Sequence, residues 1–356
     1  MGWWPHRKAL MPELPEVETV ARDLERMVAG QRIVSARVLR ERNIATPDPS
    51  TFSHAISGRE IRGVRRRAKW IIADLQGGLA LLVHLRMTGQ LLVLPAEVPL
   101  DPYVRVVLTL GDGRDLRYRD VRAFGRLALV ACGDDGVPAA SLDPSDGPRF
   151  FDYGPEPLAP NFTPDLLWAI LARHPGRLKG TLLDQRCIAG IGNIYADEAL
   201  WRAHLHPLAS GAALRREEVE RLHAAIVGVL SEAVEARGAS IDDYTGPDGD
   251  GSMQERLAVY QRQGAPCVAC GASIRRLVVG GRATHLCTTC QPLPRGARRA
   301  KGEIPRAVAS SGRARRGGRW RDRVLPATVG ATIAERAAAR RRAARSGGAD
   351  PAGGSR

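Results

Sequence analysis

The four cysteines near the end of the folded part of the chain have the spacing of a metal site. Cys267 and Cys270 form one Cys-x2-Cys pair, Cys287 and Cys290 form a second, and sixteen residues lie between the pairs. Four thiolates from two such pairs can close tetrahedrally on one Zn2+ ion, and a closed site of this kind is structural. The alternative is a pair of disulfides, which a cytosolic chain rarely forms.

The segment between the two cysteine pairs predicts a β-hairpin. Two β-type runs in residues 274–286 are joined by Gly280 and Gly281, a pair typical of a tight hairpin turn. Arg282 follows this turn directly, so the hairpin presents its guanidinium at the tip. Such a unit is too small to build its own core, and the bound metal replaces that core.

The charge of the chain points to a polyanionic partner. Its 356 residues include 53 Lys and Arg against 38 Asp and Glu, a net charge of +15, which favours nucleic acid as the partner. Residues 293–356 alone carry a net charge of +13, and their Arg-, Gly- and Ala-rich composition predicts a disordered basic tail. The chain has no apolar run of the roughly 18–20 residues that a membrane span needs.

The elements that must position these groups follow in a simple order. Residues 15–29 have apolar positions at helical spacing, and short β-type runs separated by turns fill 31–131, which favours a sandwich or barrel. A Gly-, Asp- and Pro-rich stretch at 133–164 predicts a linker. Further helices are predicted at 165–173, 194–203 and 215–237.

Several motifs in one order resemble the family of formamidopyrimidine-DNA glycosylases, bacterial enzymes that excise oxidised purines. Together they extend over about 12–291, so the resemblance covers essentially the whole predicted folded part. The motifs are MPELPEVET (11–19), RRRAKW (65–70), HLRMTGQ (84–90), DVRAFGR (120–126), LLDQRCIAGIGNIYADEALWRAHLHPL (182–208) and VYQRQGAPC (259–267), followed by the zinc hairpin.

The resemblance implies an α+β fold: an N-terminal β-sandwich with a leading helix, a helix–two-turn–helix domain and a C-terminal zinc β-hairpin. DNA would lie in the cleft between the two lobes. We therefore expect the following limits: a leader or misassigned start at 1–11, a catalytic sandwich at 12–135, a linker at 136–164, a helix–two-turn–helix domain at 165–262, a zinc hairpin at 263–292 and the basic tail at 293–356.

The resemblance also assigns the chemistry. The secondary amine of an N-terminal proline, here Pro12, attacks C1′ of the damaged nucleoside in nucleophilic covalent catalysis. Glu13 is implied as the acid that protonates the sugar ring oxygen, with Glu16 as a supporting carboxylate. Lys69 matches the lysine that contacts phosphate and assists β-elimination. Arg282 matches the arginine that grips phosphate and acts in δ-elimination.

Seven further residues match DNA contacts of the family. A glycosylase must extract the damaged base from the stack, and three residues are implied to fill the vacated space: Met87, Arg122 and Phe124. Four are implied as phosphate or backbone contacts: His84, Lys179, Asn193 and Tyr260. The alternative for His84 is a strand histidine satisfied in the core.

The chain departs from the family pattern at its start. Pro12 follows Met11, so its nitrogen is a tertiary amide, and amide resonance removes the lone pair that the nucleophile needs. We expect that residues 1–10 reflect a misplaced start or are processed, and that removal of Met11 exposes Pro12. Two other departures leave the lesion preference and one phosphate contact open: Ala123, where a second arginine is common, and the loop 245–253.

The leading hypothesis is a bifunctional DNA glycosylase and abasic-site lyase of base excision repair. It would remove 8-oxoguanine and formamidopyrimidines through a Schiff base and cleave the strand by β,δ-elimination. The alternatives are the endonuclease VIII branch, which favours oxidised pyrimidines, and a DNA-binding protein without catalysis. We expect one structural Zn2+, a monomer bound to double-stranded DNA with oxidised bases or abasic sites, no membrane, and a cytoplasmic, nucleoid-associated location in bacteria.

Overall fold

A computed structural model describes residues 11–132, 152–239 and 251–294. The predicted leader and most of the predicted basic tail lie outside these residues, as does much of the predicted linker. None of the described helices is long and apolar enough to cross a bilayer.

The N-terminal lobe is a sandwich of two sheets behind one helix. Helix α1 comprises Leu14–Val28, within one residue of the span that its apolar spacing predicts. One sheet has four antiparallel strands in the order β1-β7-β8-β6, and the other has five in the order β2-β9-β5-β4-β3. In the second sheet β2 runs parallel to β9 and the other pairs are antiparallel.

The strands of this lobe are short and follow one another closely along the chain. They are β1 (Ile33–Val38), β2 (Ile44–Thr46), β3 (Ile61–Arg67), β4 (Trp70–Leu75), β5 (Leu79–His84), β6 (Gly89–Pro95), β7 (Val104–Leu110), β8 (Arg114–Asp120) and β9 (Arg126–Ala131). Helix α2 (Pro49–Ile56) was not predicted, although Asp48 caps it by accepting hydrogen bonds from the amides of Ser50 and Thr51.

The second lobe is helical and ends in the hairpin. Its helices are α3 (Pro164–Arg173), α4 (Leu178–Leu183), α5 (Asn193–Arg202) and α6 (Arg216–Glu235), and the hairpin pairs β10 (Arg275–Val279) with β11 (Arg282–Leu286). Three of the helices match predicted ones, whereas the six-residue α4 was missed. The predicted α+β class with a sandwich, a helical domain and a C-terminal hairpin is confirmed for the described residues.

Helix α1 belongs to both lobes. Val17, Val20 and Leu24 pack into the core that the two sheets share, whereas Leu14 packs into the core of the helical lobe. The N-terminal end of α1 therefore lies at the junction of the lobes, where Pro12 and Glu13 are buried.

Candidate active site

Glu13 lies against the N-terminus of α5. Its Oε1 accepts a hydrogen bond from the amide of Ile194 at 2.9 Å, and its Oε2 accepts one from the amide of Tyr195 at 3.3 Å. A helix N-terminus favours a negative charge because its first amides have no partner within the helix. In the structure the carboxylate of Glu13 occupies this position.

Glu13 can carry a proton at neutral pH. Burial raises its pKa from 4.5 to about 7, and the opposing effect of the Lys69 ammonium is smaller than that of burial. A general acid works best when its pKa lies near the operating pH. Because the neighbouring Pro12 is also buried, the acid stands next to the predicted nucleophile inside the junction of the lobes.

Glu16 ties the start of α1 to two parts of the helical lobe. Its Oε2 accepts a hydrogen bond from the amide of Glu13 at 2.9 Å. Its Oε1 accepts from the Tyr195 hydroxyl and, at 2.8 Å, from the amide of Ala239 just after α6. Glu16 thus accepts hydrogen bonds from both sides of the junction, and its supporting role in catalysis stays a prediction. Tyr195 was not predicted because no local pattern marks it.

Lys69 lies in the tight turn between β3 and β4. Burial lowers its pKa, the negative charge of Glu13 opposes this shift, and the positive charge of Arg282 adds to it. Lys69 is therefore within electrostatic reach both of the acid on α1 and of the arginine at the hairpin tip. The structure brings together three residues that the sequence assigned to catalysis from three separate elements.

His84 ends β5 and is buried beneath the lysine turn. Its ring meets the ring of Trp70 edge-on, with centroids 4.9 Å apart. Burial lowers its pKa well below 6.5, so the ring is neutral. Its Nδ1 accepts a hydrogen bond from the amide of Arg86 at 3.1 Å, which places the proton on Nε2 and makes that atom a donor.

The three residues assigned to the vacated base space form one cluster. Met87 lies in the β5–β6 loop, whereas Arg122 and Phe124 lie in the β8–β9 loop. The Nη1 atom of Arg122 lies 3.1 Å from the sulfur of Met87. The Arg122 guanidinium lies 4.7 Å from the centroid of the Phe124 ring, which is 43% exposed. We call Met87, Arg122 and Phe124 the wedge.

The two wedge loops are joined beneath the surface. The Thr88 hydroxyl donates to Asp120 and accepts a hydrogen bond from the amide of Arg122 at 3.1 Å. Asp120, which is fully buried, also accepts from the amide of Gly125 at 2.8 Å. A buried carboxylate thus holds both loops in one arrangement, which single residues in the sequence did not indicate.

The four cysteines of the hairpin module form a zinc site. Their sulfur atoms all lie within 4.8 Å of one another, with Cys267 and Cys290 3.9 Å apart and Cys270 and Cys287 3.4 Å apart. Tetrahedral coordination with Zn–S bonds of about 2.3 Å places sulfur atoms about 3.8 Å apart. The cysteines fit one Zn2+ ion, and the predicted structural zinc is confirmed.

Lys179, which we expect from the sequence to contact the DNA backbone, is held by contacts inside the protein. It is fully buried, and its Nζ donates to Asp197 at 2.6 Å, to the Thr284 hydroxyl at 2.8 Å and to the carbonyl of Ala283 at 3.2 Å. An ammonium has three hydrogens to donate, and all three are used inside the protein. Lys179 therefore anchors the hairpin strand next to Arg282, and these contacts leave no ammonium hydrogen for a DNA phosphate.

Asn193 and Tyr260 lie beside this anchor. The Nδ2 atom of Asn193 donates to the carbonyl of Ala283 at 2.9 Å. The Tyr260 ring meets His285 edge-on with centroids 5.1 Å apart, and its amide donates to Glu198 at 2.8 Å. Both residues thus lie beside strand β11 of the hairpin, and their contact with phosphate stays a prediction.

Two buried acids of α5 that the sequence did not single out hold the zinc module. Asp197 accepts hydrogen bonds from Lys179 and, at 2.8 Å, from the amide of His285. Glu198 accepts from the consecutive amides of Ala258, Val259 and Tyr260. Apart from Lys179, which lies 18 residues before Asp197, their partners lie 60 or more residues further along the chain, so no local sequence signal could have found these contacts.

A buried acid beside the end of a helix, a lysine opposite it and an exposed wedge on the same lobe suit an enzyme that flips a damaged base out of DNA. The fold and the site define the class of helix–two-turn–helix DNA glycosylases. Three family profiles match the chain: the formamidopyrimidine-DNA glycosylase N-terminal domain at 11–127, its H2TH domain at 153–245, and the zinc finger found in FPG and IleRS at 264–293.

Curated relatives and solved structures agree with these profiles. The formamidopyrimidine-DNA glycosylases of Symbiobacterium thermophilum and Herpetosiphon aurantiacus are 44% and 45% identical, covering 80% and 79% of this chain and 91% and 100% of their own. The Lactococcus lactis Fpg in complex with abasic-site DNA is similar with a TM-score of 0.71 at 34% identity, covering 79% of this chain and 100% of its own. The MutM (Fpg) protein of Thermus thermophilus has a TM-score of 0.68 at 41% identity, covering 79% and 98%.

The chain belongs to the formamidopyrimidine-DNA glycosylase family. It is accordingly a DNA glycosylase of base excision repair with the abasic-site lyase activity of that family. The resemblance stated from the sequence motifs is confirmed.

Proposed function

We propose that the protein excises oxidised purines, such as 8-oxoguanine and formamidopyrimidines, from double-stranded DNA and cleaves the strand at the resulting abasic site. The observation that carries this proposal is Glu13, a buried acid with a pKa of about 7 next to Pro12 and within electrostatic reach of Lys69. Lactococcus lactis Fpg, a similar structure, has been solved with DNA containing Fapy-dG and with DNA containing an abasic site.

The first step needs Pro12 as the N-terminal residue. Its secondary amine then attacks C1′ of the damaged nucleoside, Glu13 delivers its proton to the sugar ring oxygen as the bond from C1′ to that oxygen breaks, and the base leaves with the proton that the amine gives up. A free α-amino group has a pKa of about 8, so a useful fraction is neutral at pH 7. The resulting iminium between Pro12 and C1′ is the Schiff base from which strand cleavage proceeds.

Strand cleavage uses two cations, Lys69 and Arg282. Lys69 contacts the phosphate beside the lesion and assists β-elimination, and Arg282 grips phosphate and acts in the subsequent δ-elimination. The structural support for these roles is that Lys69 lies within electrostatic reach of both Glu13 and Arg282. The zinc ion, when bound, holds the hairpin rigid and takes no part in the chemistry.

The wedge stabilises the DNA after the damaged base has been flipped out of the stack. Met87 and Phe124 insert where the damaged base was stacked, and Arg122 donates hydrogen bonds to the orphaned partner base. His84, Asn193 and Tyr260 contact the phosphates that flank the lesion, with Nε2 of His84 as a neutral donor. This assignment is supported by the wedge geometry and by the exposure of Phe124.

The proposal includes the domain limits expected from the sequence and a cellular location. We keep the catalytic sandwich at 12–135, the linker at 136–164, the helix–two-turn–helix domain at 165–262 and the zinc hairpin at 263–292. The named relatives are bacterial, and we place this monomer in the bacterial cytoplasm at the nucleoid, where its substrate lies.

Borohydride trapping tests the proposal. A protein that begins at Pro12 should form a covalent adduct with a duplex that carries one 8-oxoguanine, because borohydride reduces the Schiff base. The matched control retains an uncleaved residue before Pro12, so its nitrogen is an amide and should trap nothing. A Pro12-initiated protein that binds this duplex without forming an adduct would show that the scaffold binds damage without cutting it.

A further inference from the structure

The turn that carries Lys69 has an unusual backbone. Ala68, the residue before Lys69, has φ of +53°, a left-handed conformation that side chains other than glycine adopt reluctantly. Such a conformation persists where surrounding contacts enforce it. The direction in which Lys69 leaves the turn therefore depends on what holds Ala68 and its neighbours.

A carboxylate from outside the sandwich holds this turn. The Oε1 atom of Glu156 accepts hydrogen bonds from the amide of Ala68 at 2.6 Å and from Nη1 of Arg67 at 2.7 Å. Its Oε2 accepts from Nη1 of Arg66 at 2.7 Å. Glu156 thus binds the residues at three consecutive positions just before Lys69.

The segment that precedes Glu156 binds both sides of the same turn. The Nη2 atom of Arg67 donates to the carbonyls of Tyr153 and Gly154, at 3.2 Å and 2.8 Å. On the other side, the indole nitrogen of Trp70 donates to the Tyr153 hydroxyl at 2.9 Å. Residues 153–156 therefore follow the turn closely, and Glu156 supplies the only carboxylate among them.

The same segment is fixed to the structure that holds the nucleophile. The amide of Gly154 donates to the carbonyl of Gln185 at 2.8 Å, and the carbonyl of Pro155 accepts from the amide of Ala189 at 3.0 Å. The next residue, Gly190, accepts a hydrogen bond from the amide of Leu14 at 3.0 Å. Residues 153–156 thus connect the Lys69 turn to the start of α1, where Pro12 and Glu13 lie.

Glu156 is charged when it makes these contacts. Partial burial alone would raise its pKa, but the Arg66 guanidinium and the Ala68 amide outweigh that effect and hold the pKa below its ordinary value. Its bonds to Arg66 and Arg67 are charge-assisted, which makes them stronger and more directional than neutral ones.

We infer that Glu156 is a positioning residue of the lyase reaction, which holds the β3–β4 turn so that Lys69 faces Glu13 and the sugar-phosphate of the lesion. Glu156 acts through Lys69 and has no contact of its own with the reacting atoms. The inference rests on the proposed role of Lys69, and the test below separates the two.

The test is a double-mutant cycle in the protein that begins at Pro12. Glu156→Gln keeps the size of the side chain but removes the charge and one of its two acceptor oxygens. Single-turnover β-elimination of duplex DNA with a preformed abasic site should slow by about tenfold, the scale expected when a catalytic group is displaced by a fraction of an ångström. The yield of borohydride-trapped adduct on the same DNA should stay within about twofold of the parent protein, because it depends on Pro12 rather than Lys69.

Lys69→Ala supplies the second side of the cycle. In that background Glu156→Gln should cause no further loss, since the residue through which it acts is gone. Independent, additive losses would overturn the inference, as would full elimination activity in Glu156→Gln beside an impaired Lys69→Ala. If Lys69→Ala is itself unimpaired, the proposed role of Lys69 fails, and the positioning role fails with it.

Two controls separate positioning from general damage. Glu18 also pairs with Arg66, at 2.7 Å from its Nε, but Arg67 and Ala68 donate to Glu156 instead, so Glu18→Gln should leave elimination unchanged. Glu156→Asp keeps the charge and should retain more elimination activity than Glu156→Gln. A parallel fall in melting temperature, trapping and elimination in both Glu156 variants would show a purely structural role and overturn the inference.

Discussion

Gly192 lies so close to Glu13 that a β-carbon at position 192 would be 2.2 Å from the carboxyl carbon of Glu13. Because Gly192 has no side chain, the carboxylate can approach the first turn of α5 and accept hydrogen bonds from Ile194 and Tyr195. The glycine thus fixes where the acid stands relative to Pro12.

Gly192→Ala should therefore slow base excision by at least about tenfold, because the added methyl group displaces a buried acid from its two amide donors. Gly180→Ala is the matched control: its β-carbon would meet nothing within 4 Å, and alanine in a helix such as α4 is favoured by about 1 kcal/mol. Single-turnover excision of 8-oxoguanine measures both variants. Equal rates in the two variants would contradict the role assigned to Gly192.

The pH dependence of kcat/KM for base excision should show a maximum between about pH 7 and 8. Activity rises as the Pro12 amine loses its proton, near about pH 8 for an α-amino group. Activity falls as Glu13 loses its proton, since its pKa of about 7 lies above the ordinary 4.5. A kcat/KM that stays flat from pH 7 to pH 9 would argue against Glu13 as the acid.

The same raised pKa has a consequence for stability. Between about pH 4.5 and 7 the folded protein binds a proton at Glu13 that the unfolded chain has lost, so stability from this group decreases as pH rises through that window. We expect Glu13→Gln to lose excision activity while its melting temperature falls less between pH 5 and pH 8 than that of the parent protein. Thermal denaturation at both pH values measures the difference.

Phe124→Ala should reduce excision of 8-oxoguanine from duplex DNA by about tenfold, because the wedge no longer compensates for the lost stacking of the extruded base, which costs a few kcal/mol. Its melting temperature should barely change, since the ring is 43% exposed. Trp168, an aromatic residue of α3 that is 38% exposed, gives the control variant Trp168→Ala, which should excise normally. A similar loss in both variants would show that the effect is not specific to the wedge.

Lys179→Ala should destabilise the protein without changing the salt dependence of DNA binding. It leaves the fully buried Asp197 without its ion-pair partner, and breaking a buried pair from one side costs about 3–5 kcal/mol. The slope of log Kd against log salt concentration should remain that of the parent protein, whereas loss of a phosphate contact lowers it by about 1. A smaller slope with unchanged stability would show that Lys179 contacts the DNA backbone.

Zinc removal should unfold the hairpin module and leave the sandwich and the helices α3–α6 folded. The module has a small buried cluster around Val259, Cys267, Ile274 and Cys287, which cannot replace the metal bonds. Cys270→Ser should lower the bound zinc, measured by metal analysis, and weaken DNA binding by at least about tenfold because Arg282 is no longer held. Near-normal DNA affinity in zinc-free protein would show that the hairpin contributes little.

The local patterns of the sequence were enough for much of this protein. The cysteine pairs are separated by only sixteen residues, so their spacing alone indicated a zinc hairpin. Apolar periodicity predicted α1 and α6 because each buries one continuous face. The short helices α2 and α4 were not predicted because six to eight residues make too few turns for an apolar periodicity to appear.

The tertiary structure decided the chemistry of individual groups. No sequence pattern could distinguish Lys179, which forms a buried ion pair with Asp197, from Lys69, which lies within electrostatic reach of Glu13. The pKa of Glu13 likewise depends on burial against α5, about 180 positions further along the chain. Residue types and spacing fix which groups are available, but burial and long-range partners set their charge and orientation, and those arise only when distant segments pack together.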